Sequence, residues 1–331
     1  MIKIININTE KLLLTNLGQK MLKNPMGFFD VGSLGGIHPI TENFSKYLNV
    51  VCFEPNKKEL EKIEKKNKKN NYGKIIYSEK ALFRNKGSKL LHIAKLDTNT
   101  SLLKASDEFI KRYQATNFET IDQEKIKTTT IDSIIDEELR KENVKAEFIK
   151  LDTQGTEYQI LEGATSNLKS NTVAILCEVE FFPLYKNQKL FEDVIIYLRK
   201  FGFRLYGIYP NYRSNQKLDK KYYEYEERLI WGDAVFLWDP FEISADKIND
   251  RRIESLILAT LILGYYDYSF ELNEKYNKKD KKIMRKVIED LAIQRKKYIE
   301  NIINKIQSNL SINKEIYKLV DELALNRSYE K

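Results

Sequence analysis

The sequence predicts an α/β fold, a doubly wound parallel sheet, followed by an all-helical C-terminal region. Three short apolar runs each end in a carboxylate: Gly27–Asp30, Asn49–Glu54 and Glu147–Asp152. Buried parallel strands have continuous apolar sequences, and polar residues at their carboxyl ends lie where open α/β sheets bind ligands. Helical patterns lie between these runs, and this alternation of strands and helices is typical of a parallel sheet.

The remaining elements continue the alternation. Helical patterns cover Pro39–Leu48, Asn56–Asn70 and Leu190–Phe201, and strand patterns cover Lys74–Leu82, Val173–Phe181, Phe203–Tyr209 and Asp233–Trp238. Pro210–Ile230 has no long helical pattern, so the last two strands are predicted to form an antiparallel hairpin at one edge of the sheet. Gly87–Ile131 fits the alternation poorly. It is predicted to be an insertion of short strands and loop over the carboxyl edge of the sheet.

The character of the chain changes after Pro240. Six apolar residues at helical spacing predict one face of a long helix: Ile283, Val287, Leu291, Tyr298, Ile302 and Ile306. We therefore divide the chain into an α/β domain, residues 1–240, and a helical extension, residues 241–331. The apolar face could pair with a second copy or a partner enzyme, or it could pack on the sheet domain, and both alternatives stay open.

Composition excludes several classes of protein. Of the 331 residues, 42% are hydrophobic and 31% charged, which excludes a disordered chain. The net charge of +8 is spread along the chain, so no specific nucleic-acid partner is expected. Two cysteines, Cys52 and Cys177, exclude a disulfide scaffold and indicate a reducing compartment. The longest apolar segment, Ile253–Tyr266, is shorter than the roughly 20 residues of a membrane-spanning helix. We expect a cytoplasmic protein, with peripheral membrane contact left open.

A glycine-rich loop after the first strand predicts contact with a ligand. The segment Phe28–Gly36 has the sequence FFDVGSLGG, and glycines permit a tight turn and a close approach of ligand to backbone. Glu54 closes the next strand about 20 residues later, where an acidic residue can accept hydrogen bonds from both ribose hydroxyls. The loop lacks the spacing of a dinucleotide site and the lysine of a P-loop. A nucleoside without pyrophosphate remains, and S-adenosylmethionine fits that description.

A second pattern follows the central strand. Phe148–Ala164 has the sequence FIKLDTQGTEYQILEGA, in which a strand ends at Asp152, a turn follows at Gly155 and a helix begins near Glu157. Because side chains alternate along a strand, Lys150 and Asp152 are expected on the same side, facing the ligand pocket.

This run resembles the signature of the FkbM family of S-adenosylmethionine-dependent methyltransferases. The match extends from Lys150 to Ala164, and shorter similar features stand in the same order at Asp30–Gly32, Phe53–Pro55, Thr130–Asp132 and Glu178–Glu180. The resemblance implies a class I methyltransferase (Rossmann-like) fold, a seven-stranded sheet with its last strand antiparallel. It also implies methylation of hydroxyl groups on sugars, glycans or secondary metabolites. One departure is Leu34, which stands where the family commonly has an asparagine.

The resemblance and the two patterns together give the candidate site residues. Cofactor binding is assigned to Asp30, Gly32, Ser33, Gly35, Glu54, Ser78, Ala81 and Asp152. Asp30 either orients the amino-acid end of the cofactor or bonds its own turn. The candidate catalytic bases are Asp152, Glu178 and His38. Lys150 could steady an acidic acceptor or form an ion pair, and no metal ligand is predicted.

The favoured hypothesis is an S-adenosylmethionine-dependent O-methyltransferase that acts on a saccharide, in cell-surface glycan or polysaccharide synthesis. An RNA or protein methyltransferase is an alternative that only the net charge supports. The third alternative is a non-catalytic module of the same fold that assembles through its C-terminal helices, as a homo-oligomer or with a partner.

Overall fold

The strands form two sheets in a computed structural model that describes residues 6–67, 71–213, 227–241 and 248–309. The strands are β1 (Met26–Val31), β2 (Leu48–Phe53), β3 (Lys74–Ser78), β4 (Ala81–Leu82), β5 (Gly87–Ala94), β6 (Thr120–Thr129), β7 (Phe148–Leu151), β8 (Ala174–Glu180), β9 (Phe203–Arg213) and β10 (Arg228–Trp238). The larger sheet has seven strands in the order β3-β2-β1-β7-β8-β10-β9. Strand β10 is antiparallel to both neighbours and the other pairs are parallel. The predicted seven-stranded sheet with an antiparallel last strand is therefore confirmed, and so is the edge hairpin.

The helices follow the strands in alternation through the sheet domain and continue after it. They are α1 (Asn16–Lys23), α2 (Lys57–Lys66), α3 (Asp107–Tyr113), α4 (Ile131–Glu137), α5 (Glu157–Glu162), α6 (Thr165–Ser170), α7 (Phe191–Arg199), α8 (Asp250–Leu263), α9 (Tyr266–Tyr276) and α10 (Lys281–Asn309). The predicted helix after the glycine-rich loop is a 3₁₀ helix, Pro39–Tyr47. Helices α3 and α4 were not predicted, because seven residues are too few to establish a helical period.

The predicted strand Lys74–Leu82 is wrong as one element. It divides into β3, which pairs with β2, and β4, which leaves that sheet and pairs with β6. Strands β4, β6 and β5 form the second, three-stranded sheet, so the insertion Gly87–Ile131 has a sheet of its own. Residues 214–226 of the predicted hairpin segment and residues 68–70 of the predicted helix after β2 lie outside the described residues.

A small aromatic cluster packs between the insertion and the main sheet. Phe109 and Tyr113 of α3 and Phe118 pack on Phe182 and Tyr185, which follow β8. The rings of Phe109 and Phe118 meet edge to face with centroids 5.1 Å apart, a favourable aromatic geometry. The insertion is therefore held against the carboxyl edge of β8.

The C-terminal helices pack into the main core. All residues of α8 from Leu256 to Leu263 are buried, as predicted for that apolar segment. In α10 the buried residues are Met284, Val287, Ile288 and Leu291, whereas Ile283 is 46% exposed. The predicted stripe is wrong at Ile283. Successive steps of four residues advance about 400°, so an unbroken run at that spacing turns away from one face.

The limits of the helical region are not tested by the structure. The boundary at residue 240 and self-association through these helices are still predictions, and the side chain of Ile306 and residues 310–331 lie outside the described residues. No helix in the described parts of the chain is long and apolar enough to cross a membrane.

Two arginines at the start of α8 join this helix to the amino-terminal edge of the sheet. Arg252 donates hydrogen bonds to the carbonyls of Leu168, Lys169 and Thr172, and its guanidinium lies 3.8 Å from the centre of the Trp238 ring. Arg251 makes a two-pronged ion pair with the buried Glu147, whose carboxylate also accepts the N–H of Gly27. Burial lowers the pKa of Arg252 to about 10, so the side chain is still charged at neutral pH.

Arg252→Met should lower the free energy of unfolding by roughly 3 kcal/mol, because three carbonyls lose a charged donor and the ring contact is lost. Urea unfolding followed by circular dichroism measures the effect. The matched control is Arg285→Met. Arg285 is an exposed residue of α10 that stacks on Phe270, and its replacement should lower the free energy of unfolding by less than about 1 kcal/mol. Equal unfolding midpoints for the two variants would contradict the role given to Arg252.

Candidate cofactor and active site

A cleft of about 1120 Å³ lies between the carboxyl edge of the main sheet and the insertion. Strand ends and the turns after them form its floor, at Val31, Gly32, Phe53, Glu54, Lys150 and Asp152. The insertion forms its roof, at Leu91, Ile93, Thr98, Ser101, Glu124 and Ile126. Ligand sites are typically about 300–1000 Å³, so the cleft can hold a nucleoside cofactor and part of a second substrate. The predicted position of the insertion over this edge is confirmed.

A buried lysine lies at the centre of the floor. The β1–β7 register places Asp30 opposite Lys150, and the Lys150 ammonium is 3.3 Å from Asp30 Oδ1 and 3.7 Å from Asp152 Oδ2. It also donates to the carbonyl oxygen of Gly32 at 2.8 Å. Burial lowers the pKa of Lys150, but the two aspartates raise it by more, so the net shift is upward. Lys150 therefore stays charged and holds the glycine-rich loop to the end of β7.

Gly32 cannot be replaced without moving this loop. Its φ is +76°, and a Cβ there would lie 1.9 Å from the carbonyl oxygen of Asp152. The N–H groups of Gly32 and Ser33 both donate to the Phe53 carbonyl, which ties the loop to β2 as well. Gly35 has φ +88° and open space where its Cβ would be, so the loop leaves room for a ligand there.

Glu54 lies at the end of β2 with its side chain almost buried. Its Oε1 accepts the N–H of Asn56, and its own N–H donates to the Ser78 carbonyl of β3. Burial raises the pKa of Glu54, and the hydrogen bond from Asn56 opposes that shift. A buried carboxylate at this edge is suited to accept hydrogen bonds from two hydroxyl groups, because these bonds would replace its lost hydration.

Asp152 presents the most accessible carboxylate of the floor, with 46% of its side chain exposed. Gln154 Nε2 donates to both Asp152 Oδ1 and Glu178 Oε2, each at 3.0 Å. The cleft lining includes Asp152 and Gln154 but not Glu178. Burial raises the pKa of Glu178 well above its usual range, and the neighbouring carboxylates, Asp152 first, add to that shift.

His38 lines the cleft beside the glycine-rich loop. Its backbone N–H donates to Asp30 Oδ2 at 2.6 Å, and its Nδ1 accepts the N–H of Ile40 at 3.3 Å. Burial lowers the pKa of His38, so the neutral imidazole is favoured. The bond to Nδ1 assigns the remaining proton to Nε2, which makes that nitrogen a hydrogen-bond donor.

The structure divides the predicted cofactor residues into two groups. Gly32, Gly35, Glu54, Ala81 and Asp152 line the cleft. Asp30 and Ser33 are buried beneath it, where Ser33 Oγ donates to the Asp30 carbonyl, and Ser78 contributes its carbonyl to the strand pairing. The Asp30 carboxylate bonds its own turn, one of the two alternatives that the sequence left open. Cofactor contact by Asp30, Ser33 and Ser78 stays a prediction.

Gln154 received no role from the sequence, although it lies within the Lys150–Ala164 run. Two of its side-chain partners, Glu178 and Tyr185, are 24 and 31 residues away in the chain, so no local pattern could reveal those contacts. The only signal in the sequence is a glutamine between two candidate site residues and a glycine.

Two further carboxylates near Asp152, those of Glu157 and Glu180, are buried. Burial raises the pKa of Glu157 to about 7, although Thr153 donates to it through both its N–H and its hydroxyl. Burial also raises the pKa of Glu180 well above its usual range. Within the described residues, no three His, Cys, Asp or Glu side chains are arranged to hold a metal ion. Metal-free catalysis stays a prediction.

A comparison with protein-family models identifies the family of this chain. The model of the methyltransferase FkbM domain matches residues 38–205, half of the chain. The chain belongs to the FkbM methyltransferase family. The matched region contains Glu54 and the whole Lys150–Ala164 run, and the glycine-rich loop precedes it. The match agrees with the predicted cofactor, S-adenosylmethionine.

Comparison with solved structures finds methyltransferases at low identity and low TM-score. The FkbM methyltransferase of Methylobacillus flagellatus KT is 13% identical with a TM-score of 0.36, over 65% of this chain and 44% of that one. The chain thus spans less than half the length of that relative. Sp1610 of Streptococcus pneumoniae, described as a tRNA (m1A22) methyltransferase and solved with S-adenosyl-L-methionine, is 13% identical with a TM-score of 0.32, over 85% and 96% of the two chains. No curated protein matches the sequence.

The residues of this FkbM member fit S-adenosylmethionine. Glu54 offers a nearly buried carboxylate for the ribose hydroxyls, and the open space at Gly35 admits a ligand against the loop. The Asp30–Lys150–Asp152 group contains two carboxylates and one ammonium, so with all three ionised it carries one net negative charge. A cationic sulfonium in the same cleft would be stabilised by that charge.

Glu54→Ala should reduce the thermal stabilisation that S-adenosylhomocysteine gives by half or more. In the wild type, ligand at about 100 times its dissociation constant adds roughly 2.7 kcal/mol. Losing a charged hydrogen-bond acceptor weakens binding by about 1.5–3 kcal/mol, so at that concentration about 0.3–1.3 kcal/mol should remain. Glu61→Ala, on the exposed face of α2, is the control and should keep the full shift. An unchanged shift in Glu54→Ala would show that the ribose binds elsewhere.

Proposed function

We propose that this protein transfers a methyl group from S-adenosylmethionine to a hydroxyl group of a saccharide, in cell-surface glycan or polysaccharide synthesis. The observation that supports it most is Asp152, an accessible carboxylate on the floor of a cleft large enough for cofactor and acceptor. A hydroxyl acceptor must lose its proton during transfer, and a carboxylate within hydrogen-bond reach can accept that proton. Both cysteines are buried free thiols, which supports a cytoplasmic reaction.

Asp152 is the base that we favour among the three candidates. Glu178 does not line the cleft, and its raised pKa favours the protonated acid. The Nδ1 atom of His38 already accepts the N–H of Ile40 and its proton is on Nε2, so in this tautomer His38 can donate a hydrogen bond but cannot take a proton from the acceptor. S-adenosylmethionine supplies the methyl group from its sulfonium. Asp152 takes the hydroxyl proton, and Lys150 and Gln154 hold the carboxylate in place.

The roof of the cleft supports a saccharide acceptor. Exposed polar groups at Asp97, Thr98 and Glu124 can bond sugar hydroxyls, and Leu91, Ile93 and Ile126 can contact the apolar face of a sugar ring. The RNA alternative gains no support. Four lysines lie at the rim of the cleft, but four acidic residues accompany them, so no basic stripe is formed. The lysines are Lys57, Lys58, Lys66 and Lys80, and the acidic residues are Glu42, Glu79, Asp97 and Glu124.

Incubation with S-adenosylmethionine labelled in its methyl group should label saccharides and leave RNA and protein unlabelled. A panel of oligosaccharides, total tRNA and protein, separated after reaction, measures this. Asp152→Asn should lower kcat by about 10²–10⁴-fold while the protein still binds S-adenosylhomocysteine, because only the base is lost.

Asp136→Asn, an exposed aspartate on α4, is the control for that substitution and should retain full activity. Label in tRNA or protein with none in saccharide would contradict the proposed acceptor. Wild-type kcat in Asp152→Asn would contradict the proposed base.

A further inference from the structure

Gln154 connects the candidate base with the insertion. Its Nε2 donates to Asp152 and Glu178, and its Oε1 lies 3.1 Å from the hydroxyl of Tyr185. Its backbone carbonyl accepts a hydrogen bond from Ser101 Oγ in the insertion at 2.6 Å. One side chain thus contacts the ends of β7 and β8 and the loop that follows β8.

The orientation of this amide is fixed by its neighbours. Asp152 Oδ1 faces the Nε2 end, and an ionised carboxylate accepts hydrogen bonds but cannot donate them. The hydroxyl of Tyr185 can donate to Oε1, and it also lies 3.1 Å from the Asn99 carbonyl. A flipped amide would bring Oε1 against Asp152 Oδ1, which places two acceptors in contact, so the orientation with Nε2 toward Asp152 is favoured.

The backbone at Gln154 is held in an unusual conformation. Its φ is +59°, in the left-handed region that costs a residue with a side chain about 1 kcal/mol or more. Gly155 follows with φ +97°, and a Cβ there would lie 2.7 Å from Gln188 Nε2 and 2.8 Å from Tyr185 Cδ2. This tight turn directs the Gln154 side chain back toward Asp152. Strain of this kind persists only where the surroundings determine it.

We propose that Gln154 is a positioning residue that holds the Asp152 carboxylate, and its negative charge, at the floor of the cofactor cleft. Lys150 contacts Asp152 Oδ2 and Gln154 contacts Oδ1, so the carboxylate is fixed from both sides. Without Gln154 the half-exposed carboxylate is free to rotate toward solvent, where water screens its charge. The proposal rests on the cofactor of the family and not on the identity of the acceptor.

The charge of the ligand gives a readout that needs no acceptor. S-adenosylmethionine carries a sulfonium cation, whereas the sulfur of S-adenosylhomocysteine is neutral, and the two are otherwise nearly the same shape. A carboxylate held near the sulfur should stabilise the first ligand and hardly affect the second. The ratio of the two dissociation constants therefore reports the position of the Asp152 charge.

The experiment is isothermal titration calorimetry with both ligands on four proteins: wild type, Gln154→Ala, Asp152→Asn and the double variant. Gln154→Ala should weaken S-adenosylmethionine binding about threefold, and Asp152→Asn roughly fivefold, with less than about a twofold change for S-adenosylhomocysteine. In the Asp152→Asn background, Gln154→Ala should have no further selective effect, because no charge is left to position.

Gln114→Ala is the matched control. Gln114 is also a glutamine in the left-handed region, with φ +51°, but it lies exposed at the end of α3 outside the cleft. It should leave both dissociation constants unchanged. If Gln154→Ala fails to fold, Gln154→Asn replaces it in the experiment, because asparagine tolerates the left-handed conformation. It should show the same selective loss of affinity for S-adenosylmethionine. Three results would overturn the proposal: equal weakening of both ligands, no weakening, or a selective effect that persists without Asp152.

Discussion

The ion pairs of the buried Lys150 position the side chains at the carboxyl edge of the main sheet. Lys150 lies almost fully buried at the junction of β1 and β7, between Asp30 and Asp152, and bonds the Gly32 carbonyl. A buried charge is tolerated only when it is paired, so the positions of both aspartates and of the loop are constrained together. The register of two parallel strands, which sets Asp30 opposite Lys150, thus determines the shape of the cofactor site.

A second constraint comes from the contacts between the insertion and the main sheet. The insertion has its own sheet, but it meets the main sheet through the aromatic cluster around Tyr185 and through Gln154. Glu54 and the glycine-rich loop line the floor of the cleft together with Asp152, and the insertion forms its roof.

The sequence predicts well those features that depend on local burial. Apolar runs that end at Asp30, Glu54 and Asp152 mark three adjacent strands, because a buried parallel strand is apolar along most of its length. It predicts poorly what depends on distant partners. The Gln154 amide takes its orientation from Tyr185, 31 residues away. The division of β3 from β4 depends on pairing with β6, and the exposed position of Ile283 depends on which face of α10 meets the core. The Asp30 carboxylate is turned inward by His38 and Lys150, whose positions no spacing in the sequence conveys.

The most direct test of the central claim is a crystal structure of this protein with S-adenosylhomocysteine. The account predicts the nucleoside in the cleft over the ends of β1 and β2, with both ribose hydroxyls within hydrogen-bond distance of the Glu54 carboxylate. It also predicts that the Lys150 ion pairs stay unchanged and that the sulfur lies on the side of Asp152. A nucleoside bound outside this cleft, or a ribose without contact to Glu54, would contradict the account.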